Sequence, residues 1–217
     1  MRRVYAPGCA LVIYKPALAV RVLACVDAEC GPVAEHLTCC RHDPGLEAGT
    51  TVINTCAGCD RRYRELYAGI STISLWEVLA ESERFPFPDY GGTEMTVQDA
   101  CPTRTEARVH AAVRRLLDRM NIRVVEPRLT RTHTVCCGDN FFGVLATEGV
   151  IQQMKARAGQ MPRQDVVVYC LSCVKAMHNG GRRPRYLVDL LFGEDTAPGT
   201  FEPAAWHAEL QAFIDRH

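Results

Sequence analysis

The apolar positions of this chain fall into short runs that alternate with segments of helical period, and the order occurs twice. Arg3 to Ala6 reads as a short extended run ending at the turn Pro7-Gly8-Cys9. Pro16 fits the first turn of a helix reaching about Ala24, with Leu18, Ala19 and Val22 at helical spacing. A second strand over about Val33 to Leu37 runs into Cys39-Cys40, and His42-Asp43-Pro44-Gly45 makes a turn. Thr50 to Asn54 form a third strand that ends at Cys56. Cys56-Ala57-Gly58-Cys59 opens a helix through about Tyr67, Ile70 to Ile73 is a fourth strand, and Leu75 to Ala80 a short helix.

Phe85-Pro86-Phe87-Pro88 and Gly91-Gly92 read as a linker, since these residues stop regular structure. The second half then runs in the same order and in fuller form. Met95 to Gln98 is a strand ending at Asp99-Ala100-Cys101, and Pro102 introduces a helix of roughly Thr105 to Met120. Val109, Val113, Leu116, Leu117 and Met120 line one face of it, which leaves Arg108, Arg114, Arg115 and Arg119 as an expected solvated face. Ile122 to Glu126 is the next strand, and Thr134-Val135 leads into Cys136-Cys137-Gly138. A helix of about Val144 to Ala158 precedes Val166-Val167-Val168-Tyr169, a continuous buried-strand signal ending at Cys170. Cys173 begins another helix, Arg185 to Phe192 aligns with Ser74 to Glu81, and Trp206 to Ile214 is a last amphipathic helix.

Strands alternating with helices predict an α/β fold of two pseudo-repeated small parallel-sheet units with right-handed crossovers. The expected boundaries are 1–84 for the first unit, 85–93 for the linker, 94–193 for the second unit and 194–217 for a tail with its helix. Only residues 41–55 separate Cys40 from Cys56, whereas 138–169 separate Cys137 from Cys170, so the first unit is read as shortened by a crossover helix.

Composition narrows the function. The chain has 217 residues, 47% of them apolar, which suits a folded core in one domain or two small ones. Its 25 basic and 25 acidic residues cancel, so bulk charge points to no nucleic-acid partner. Pro7, Lys15, Pro16 and Arg21 interrupt what would be the apolar part of a signal peptide, and no uninterrupted apolar run of about 18 residues marks a membrane span. The expected location is cytoplasmic. Twelve cysteines there need a purpose, because cytoplasmic thiols are kept reduced.

Metal binding is the expected purpose. Ten cysteines fall into two matched sets: Cys9, Cys39-Cys40, Cys56 and Cys59, then Cys101, Cys136-Cys137, Cys170 and Cys173. Cys25 and Cys30 are left over and are expected to be incidental thiols. A zinc ion takes four ligands, usually from two short pairs, and each set offers one Cys-x-x-Cys. An adjacent Cys-Cys pair is better suited to two metals of a multinuclear cluster. Iron-sulfur clusters are held by thiolates in this way, and the helix starts after Cys59 and Cys173 would supply N–H groups that favour thiolate.

These residues carry a resemblance. The motifs Pro7-Gly8-Cys9, Cys39-Cys40 and Cys56-x-x-Cys59, followed by Cys101, Cys136-Cys137-Gly138 and Cys170-x-x-Cys173, resemble the twin cysteine-rich CCG domains of the disulfide-cleaving subunits of the heterodisulfide reductase family. Similar domains occur in glycolate- and lactate-oxidising iron-sulfur proteins. The resemblance covers roughly residues 3 to 193, and Asp99-Ala100-Cys101 stands where the family shows a similar Asp-Pro-Cys. It implies a noncubane [4Fe-4S] cluster at each complete motif and cleavage of a disulfide whose sulfurs bind an accessible iron. Cys101, Cys136, Cys137, Cys170 and Cys173 would ligate one cluster; Cys9, Cys39, Cys40, Cys56 and Cys59 would ligate the other. The first set departs from the pattern in its short central spacing and in Arg41, which stands in place of glycine, so zinc is the alternative there.

The function expected is therefore an iron-sulfur redox subunit exchanging electrons with a disulfide or thiol substrate. No Gly-x-Gly-x-x-Gly fingerprint marks a flavin or nicotinamide site, so electrons are expected from other iron-sulfur or flavin subunits. The rival readings are a non-catalytic electron relay and a structural zinc protein. His36, His42, His110, His133 and His178 are read as surface or capped histidines, with His42 and His133 placed beside the cysteine pairs. Asp139-Asn140-Phe141 is expected to narrow access after Gly138, and Arg182, Arg183 and Arg185 to lie in a solvated loop.

Overall fold

In a computed structural model that describes residues 2–217, the strands form two four-stranded sheets in which every neighbouring pair is parallel. The chain is α/β, and each sheet belongs to its own unit. One unit comprises the chain up to Phe85 together with Glu209–His217, and the other is Pro86–Ala208.

The first unit runs β1 (Arg3–Ala6), α1 (Cys9–Tyr14), α2 (Pro16–Cys30), β2 (Ala34–Glu35), β3 (Thr51–Asn54), α3 (Ala57–Leu66), β4 (Ser71–Ser74) and α4 (Leu75–Ala80), with sheet order β2-β1-β3-β4. Val4 pairs with Val52 and Val52 with Thr72, and Val4, Tyr5, Val52 and Ile53 are buried. The second unit runs β5 (Thr93–Gln98), α5 (Ala107–Arg119), β6 (Ile122–Val124), α6 (Thr147–Gly159), β7 (Asp165–Val168), α7 (Leu171–Asn179), β8 (Arg183–Tyr186) and α8 (Leu187–Leu191). Its order, β6-β5-β7-β8, is that of the first sheet. Val166, Val167 and Val168 of β7 are wholly buried, as a β-branched run covered on both faces should be. Helix α6 is the crossover between β6 and β7; between β2 and β3 the chain crosses without a helix. The final helix α9 (Pro203–Ile214) contributes its start to the second unit and its end to the first.

Several elements differ from the expectations. Cys9–Tyr14 is a helix where only a turn was expected, and Cys9 opens it. Helix α2 continues to Cys30 and stops at Gly31, whose φ of 79° followed by Pro32 ends a helix. Cys25 and Cys30 therefore stand on a helix. Strand β2 is two exposed residues long. Tyr186 stands at the N-cap position of α8 as Ser74 does at that of α4, so the two halves match one residue beyond the alignment started at Arg185, although only Ser74 caps its helix with its side chain.

Two groups of arginines are not simply solvated. Arg183 lies in β8 rather than a loop and meets Asp165 of the neighbouring strand with two bonds of 2.6 Å. Arg182 donates to the Ala158 carbonyl across 2.9 Å, and Arg185 pairs with Asp195 at 3.5 Å. Arg114 turns inward, with only 12% of its side chain exposed, because it follows the buried His110 by one helical turn. Among the described residues no helix is long and apolar enough to cross a membrane.

Candidate functional site

The winding of each sheet reverses at its centre. From β1 the order runs out to β2 on one side, and from β3 to β4 on the other, so the crevice at the carboxyl ends of β1 and β3 is where such a fold presents ligands. Cys9 follows β1 and Cys56 follows β3. In the second unit Cys101 follows β5 and Cys170 follows β7 at the equivalent place. The adjacent pairs Cys39-Cys40 and Cys136-Cys137 come from the connections leaving β2 and β6.

In the first unit the five thiols form one run of neighbours. Cys39 accepts hydrogen bonds from Cys40 and Cys9 and from the Arg41 N–H, and these push its thiol down to about 2. The donors move the other way: Cys9 is raised and Cys40 reaches about 12, each chiefly because its proton is held by Cys39. Cys59 lies between Cys40 and Cys56 and is raised by both. Its bond to Cys56, with the Cys59 and Gly58 N–H groups at the start of α3, lowers Cys56 to about 7 against the opposing effect of burial. Gly8 lets the backbone approach this cluster. Its φ is 78°, and a Cβ there would stand 3.0 Å from Cys56 Cβ and 3.5 Å from Cys59 Sγ.

A small cleft of about 10 Å³, room for roughly one water, opens on Cys9, Cys39, Cys40 and Cys59. Phe213 and His36 line it too. The C-terminal residues cover this place: the Cys39 N–H donates to the His217 carbonyl across 3.1 Å, His42 Nε2 bonds the Ile214 carbonyl at 2.8 Å, and Phe213 stacks on His217. His42 thus holds the tail. His36 is not a plain surface residue, since its Nε2 is buried and burial lowers its pKa.

The second unit builds the same run. Cys136 accepts from Cys101 and Cys137 and falls to about 2, with help from the Gly138 N–H at 3.4 Å and that of Asn140. Cys101 is raised by the bond to Cys136, Cys137 well up for the same reason, and Cys173 well up through Cys137 and Cys170. Cys137 and Cys173 are buried, whereas Cys101, Cys136 and Cys170 are half-buried. Gly138 has φ 113°, and a Cβ there would lie 2.6 Å from the Met154 backbone nitrogen of α6. No other residue fits. In the first unit Arg41 takes the glycine's place with its side chain exposed and its N–H still directed at the sulfur.

A buried polar network fixes the loops that carry these thiols. Asp99 receives two bonds from Arg114, one from the Tyr169 hydroxyl at 3.0 Å and one from the Arg131 N–H at 2.7 Å. Thr103 bonds Tyr169 at 3.0 Å and His110 at 3.2 Å. Thr134 donates to the Asp99 carbonyl and Gln98 to the Val135 carbonyl. Asp99, Thr103, Thr134 and Tyr169 flank Cys101, Cys136 and Cys170, so one network sets three loops. His110 is accordingly a buried histidine, not a surface one, and burial lowers its pKa. After Gly138, Asp139 pairs with His207 at 3.1 Å and Phe142 stacks on the same ring, while Asn140 and Phe141 stay exposed.

All ten cysteines of the two sets are thus gathered five and five, and all twelve are free thiols. Cys25 and Cys30 lie outside both runs, and His133 is exposed. Among the described residues no three Cys, His, Asp or Glu side chains close on a single point as one metal ion requires. Each sulfur instead hydrogen-bonds to the next in turn, an arrangement that suits a polynuclear centre whose metals share the five thiolates. The donor chemistry fits: five soft ligands, N–H groups aimed at sulfur, and two glycine-dependent close approaches. The sequence had pointed to the thiols but not to Arg114, His36 or the C-terminal cover; for Arg114 the signal was its helical spacing from His110 and Leu117. No family model matches the chain, and no curated protein matches it in sequence.

Proposed function

We propose that this chain is the iron-sulfur subunit of a cytoplasmic disulfide or thiol oxidoreductase, with Cys9, Cys39, Cys40, Cys56 and Cys59 holding one noncubane [4Fe-4S] cluster and Cys101, Cys136, Cys137, Cys170 and Cys173 another. The observation that carries the reading is the second run of five thiols, contiguous, half-buried at three of them and fastened by the Asp99 network. A cytoplasmic setting keeps such thiols reduced and available.

When bound, a cluster supplies electrons one at a time to a sulfur substrate. The chemistry balances as one disulfide taking two electrons and two protons to give two thiols, the sulfur-sulfur bond breaking. The electrons come from a reduced iron-sulfur or flavin subunit and the protons from solvent. The residues of this chain hold and polarise the site. Gly138 and Asn140 stabilise negative charge on Cys136, Gly58 and Cys59 do so on Cys56, and the half-buried Cys101, Cys136 and Cys170 admit substrate.

The test is anaerobic. Iron, acid-labile sulfide and zinc are counted per chain, an electron paramagnetic resonance spectrum is recorded, and a disulfide is offered with a reduced dye. Iron and sulfide with release of thiol is the expected result. Cluster reduction without thiol release makes the chain an electron relay, and zinc without sulfide makes it a structural zinc protein; either outcome overturns the proposal.

A further inference from the structure

Among the described residues, Arg157 is a buried cation that forms no ion pair with a carboxylate. It stands on α6, three residues beyond the Met154 backbone that closes on Gly138, and is 3% exposed. Its guanidinium donates to three neutral oxygens: Gln98 Oε1 at 2.6 Å, Gln160 Oε1 at 2.7 Å and the Leu129 carbonyl at 2.7 Å. Burial lowers its pKa, and the charges of Cys173, Asp99, Cys137 and Cys136 oppose that fall. Asp99 is already engaged by Arg114. Taking a guanidinium from water is costly unless an anion stands near. The anion left to match it is the second thiol set and what that set holds.

The first set meets a different balance of charge, a half-buried Arg62 donating to the Cys40 carbonyl across 3.0 Å and a buried carboxylate beside Cys59. No helix equivalent to α6 exists there, and among the described residues the Arg and Lys that are fully buried, Arg157 and Lys175, are both in the second unit. Lys175 is occupied elsewhere, bonded to the Pro198 carbonyl with its ammonium 4.6 Å over the Trp206 ring. Directly after Cys59 comes Asp60, 2% exposed, whose charge opposes thiolate at Cys56. Val174 takes that place after Cys173. Asn54 and Arg64 bond Asp60 at 3.1 and 2.9 Å, but Arg64 is partly exposed and its charge partly screened by water.

We propose that Arg157 is the fixed counter-charge of the second thiol set and that, with Asp60 set against it in the first unit, the two sets hold redox centres of unequal potential, the second being the easier to reduce. This rests on the reading that each set holds an iron-sulfur cluster. Reduction adds one negative charge to a centre; a cation held in a low-dielectric interior stabilises that form and a carboxylate destabilises it. Arg157 is a positioning residue, acting through charge and without touching substrate.

The experiment is a redox titration of the anaerobically reconstituted full-length chain, followed by electron paramagnetic resonance. Cys137→Ala, which removes the second centre, assigns the signals. In the wild type the second signal appears at the higher potential. Arg157→Gln lowers it so that the reduced-to-oxidised ratio at a fixed potential falls about tenfold, about 59 mV for a one-electron couple. Arg157→Lys restores most of the shift, and Asp60→Asn raises the first centre alone. Equal potentials in the wild type, the reverse order, or an unmoved second centre in a folded, cluster-loaded Arg157→Gln chain overturns the inference. If Arg157→Gln fails to fold, the wild-type order and the Arg157→Lys and Asp60→Asn shifts still decide it. Absence of iron and sulfide from the wild type is a separate result, found before any titration, and removes the proposed function itself.

Discussion

The Tyr169 hydroxyl donates to the Asp99 carboxylate across 3.0 Å, tying the residue before Cys170 to the residue two before Cys101. Asp99 and Tyr169 leave from neighbouring parallel strands, so this one bond sets the distance between two thiol-bearing loops. Arg114 neutralises the carboxylate that makes it possible, and Glu126 shares Arg114 at 2.8 Å.

Breaking that arrangement at Asp99 should be costly and pH-dependent. Burial by itself would raise the Asp99 pKa, but the Arg114 hydrogen bonds and charge and the Arg131 N–H overcome it and hold the carboxyl below its usual value. A carboxyl depressed in the folded state stabilises the fold above its unfolded pKa, roughly 3.9, and loses that contribution as pH falls through the folded value. Asp99→Asn is expected to lose about 1.5–3 kcal/mol at pH 7, since it takes the buried carboxylate from Arg114 and leaves the part-exposed Glu126 as its charged partner. Urea unfolding at pH 7 and below pH 4 checks this: the gap between variant and wild type should narrow on acidification.

Gly138→Ala should damage the second unit by collision. The new Cβ would fall 2.6 Å from the Met154 nitrogen, at a φ of 113° that alanine avoids. The expected cost is about 1–3 kcal/mol for the overpacking, together with reduced iron and sulfide content at one site. Chemical unfolding and metal analysis read both effects; undiminished metal content would mean the turn can be rebuilt without harm to the thiol run.

Cys137→Ala should abolish the visible absorbance of one cluster, while Cys25→Ala leaves the spectrum as it was. Cys137 is buried between Cys136 and Cys173; Cys25 stands on α2 outside both runs. A changed spectrum in the Cys25 variant would show that the ligand set has been drawn wrongly.

Phe213→Ala should expose the first thiol set. Phe213 lines the cleft and stacks on His217, whose carbonyl receives the Cys39 N–H. Alkylation of the metal-free chain, mapped by mass spectrometry, is expected to speed up several-fold at Cys9 and Cys39 and to stay constant at Cys101. Equal rates in variant and wild type would argue that the tail shields nothing.

Much of this was legible in the residues. The Val166-Val167-Val168-Tyr169 run, the recurring cysteine spacings and the short stretch 41–55 were enough for two parallel-sheet units with one crossover helix missing, and the sheet orders agree. What failed to show were features that depend on distant partners. The second strand, expected over about Val33 to Leu37, is cut to Ala34–Glu35 because only these two residues pair, with Val4 and Tyr5. Cys9–Tyr14 is rich in β-branched and apolar residues that suit a strand as well as a helix. Arg114 looked like one more surface arginine because its partner Asp99 lies 15 positions earlier in the chain.

The direct passage from β2 to β3 separates two things that most α/β folds present together, the layer that wraps a sheet and the tips that do its chemistry. Cys39-Cys40 reaches Cys9 and Cys59 although the wrapping helix is gone. The sulfur constellation is therefore an attribute of three strand tips, and the armour around it is open to trimming, exchange or replacement by a tail from elsewhere in the chain.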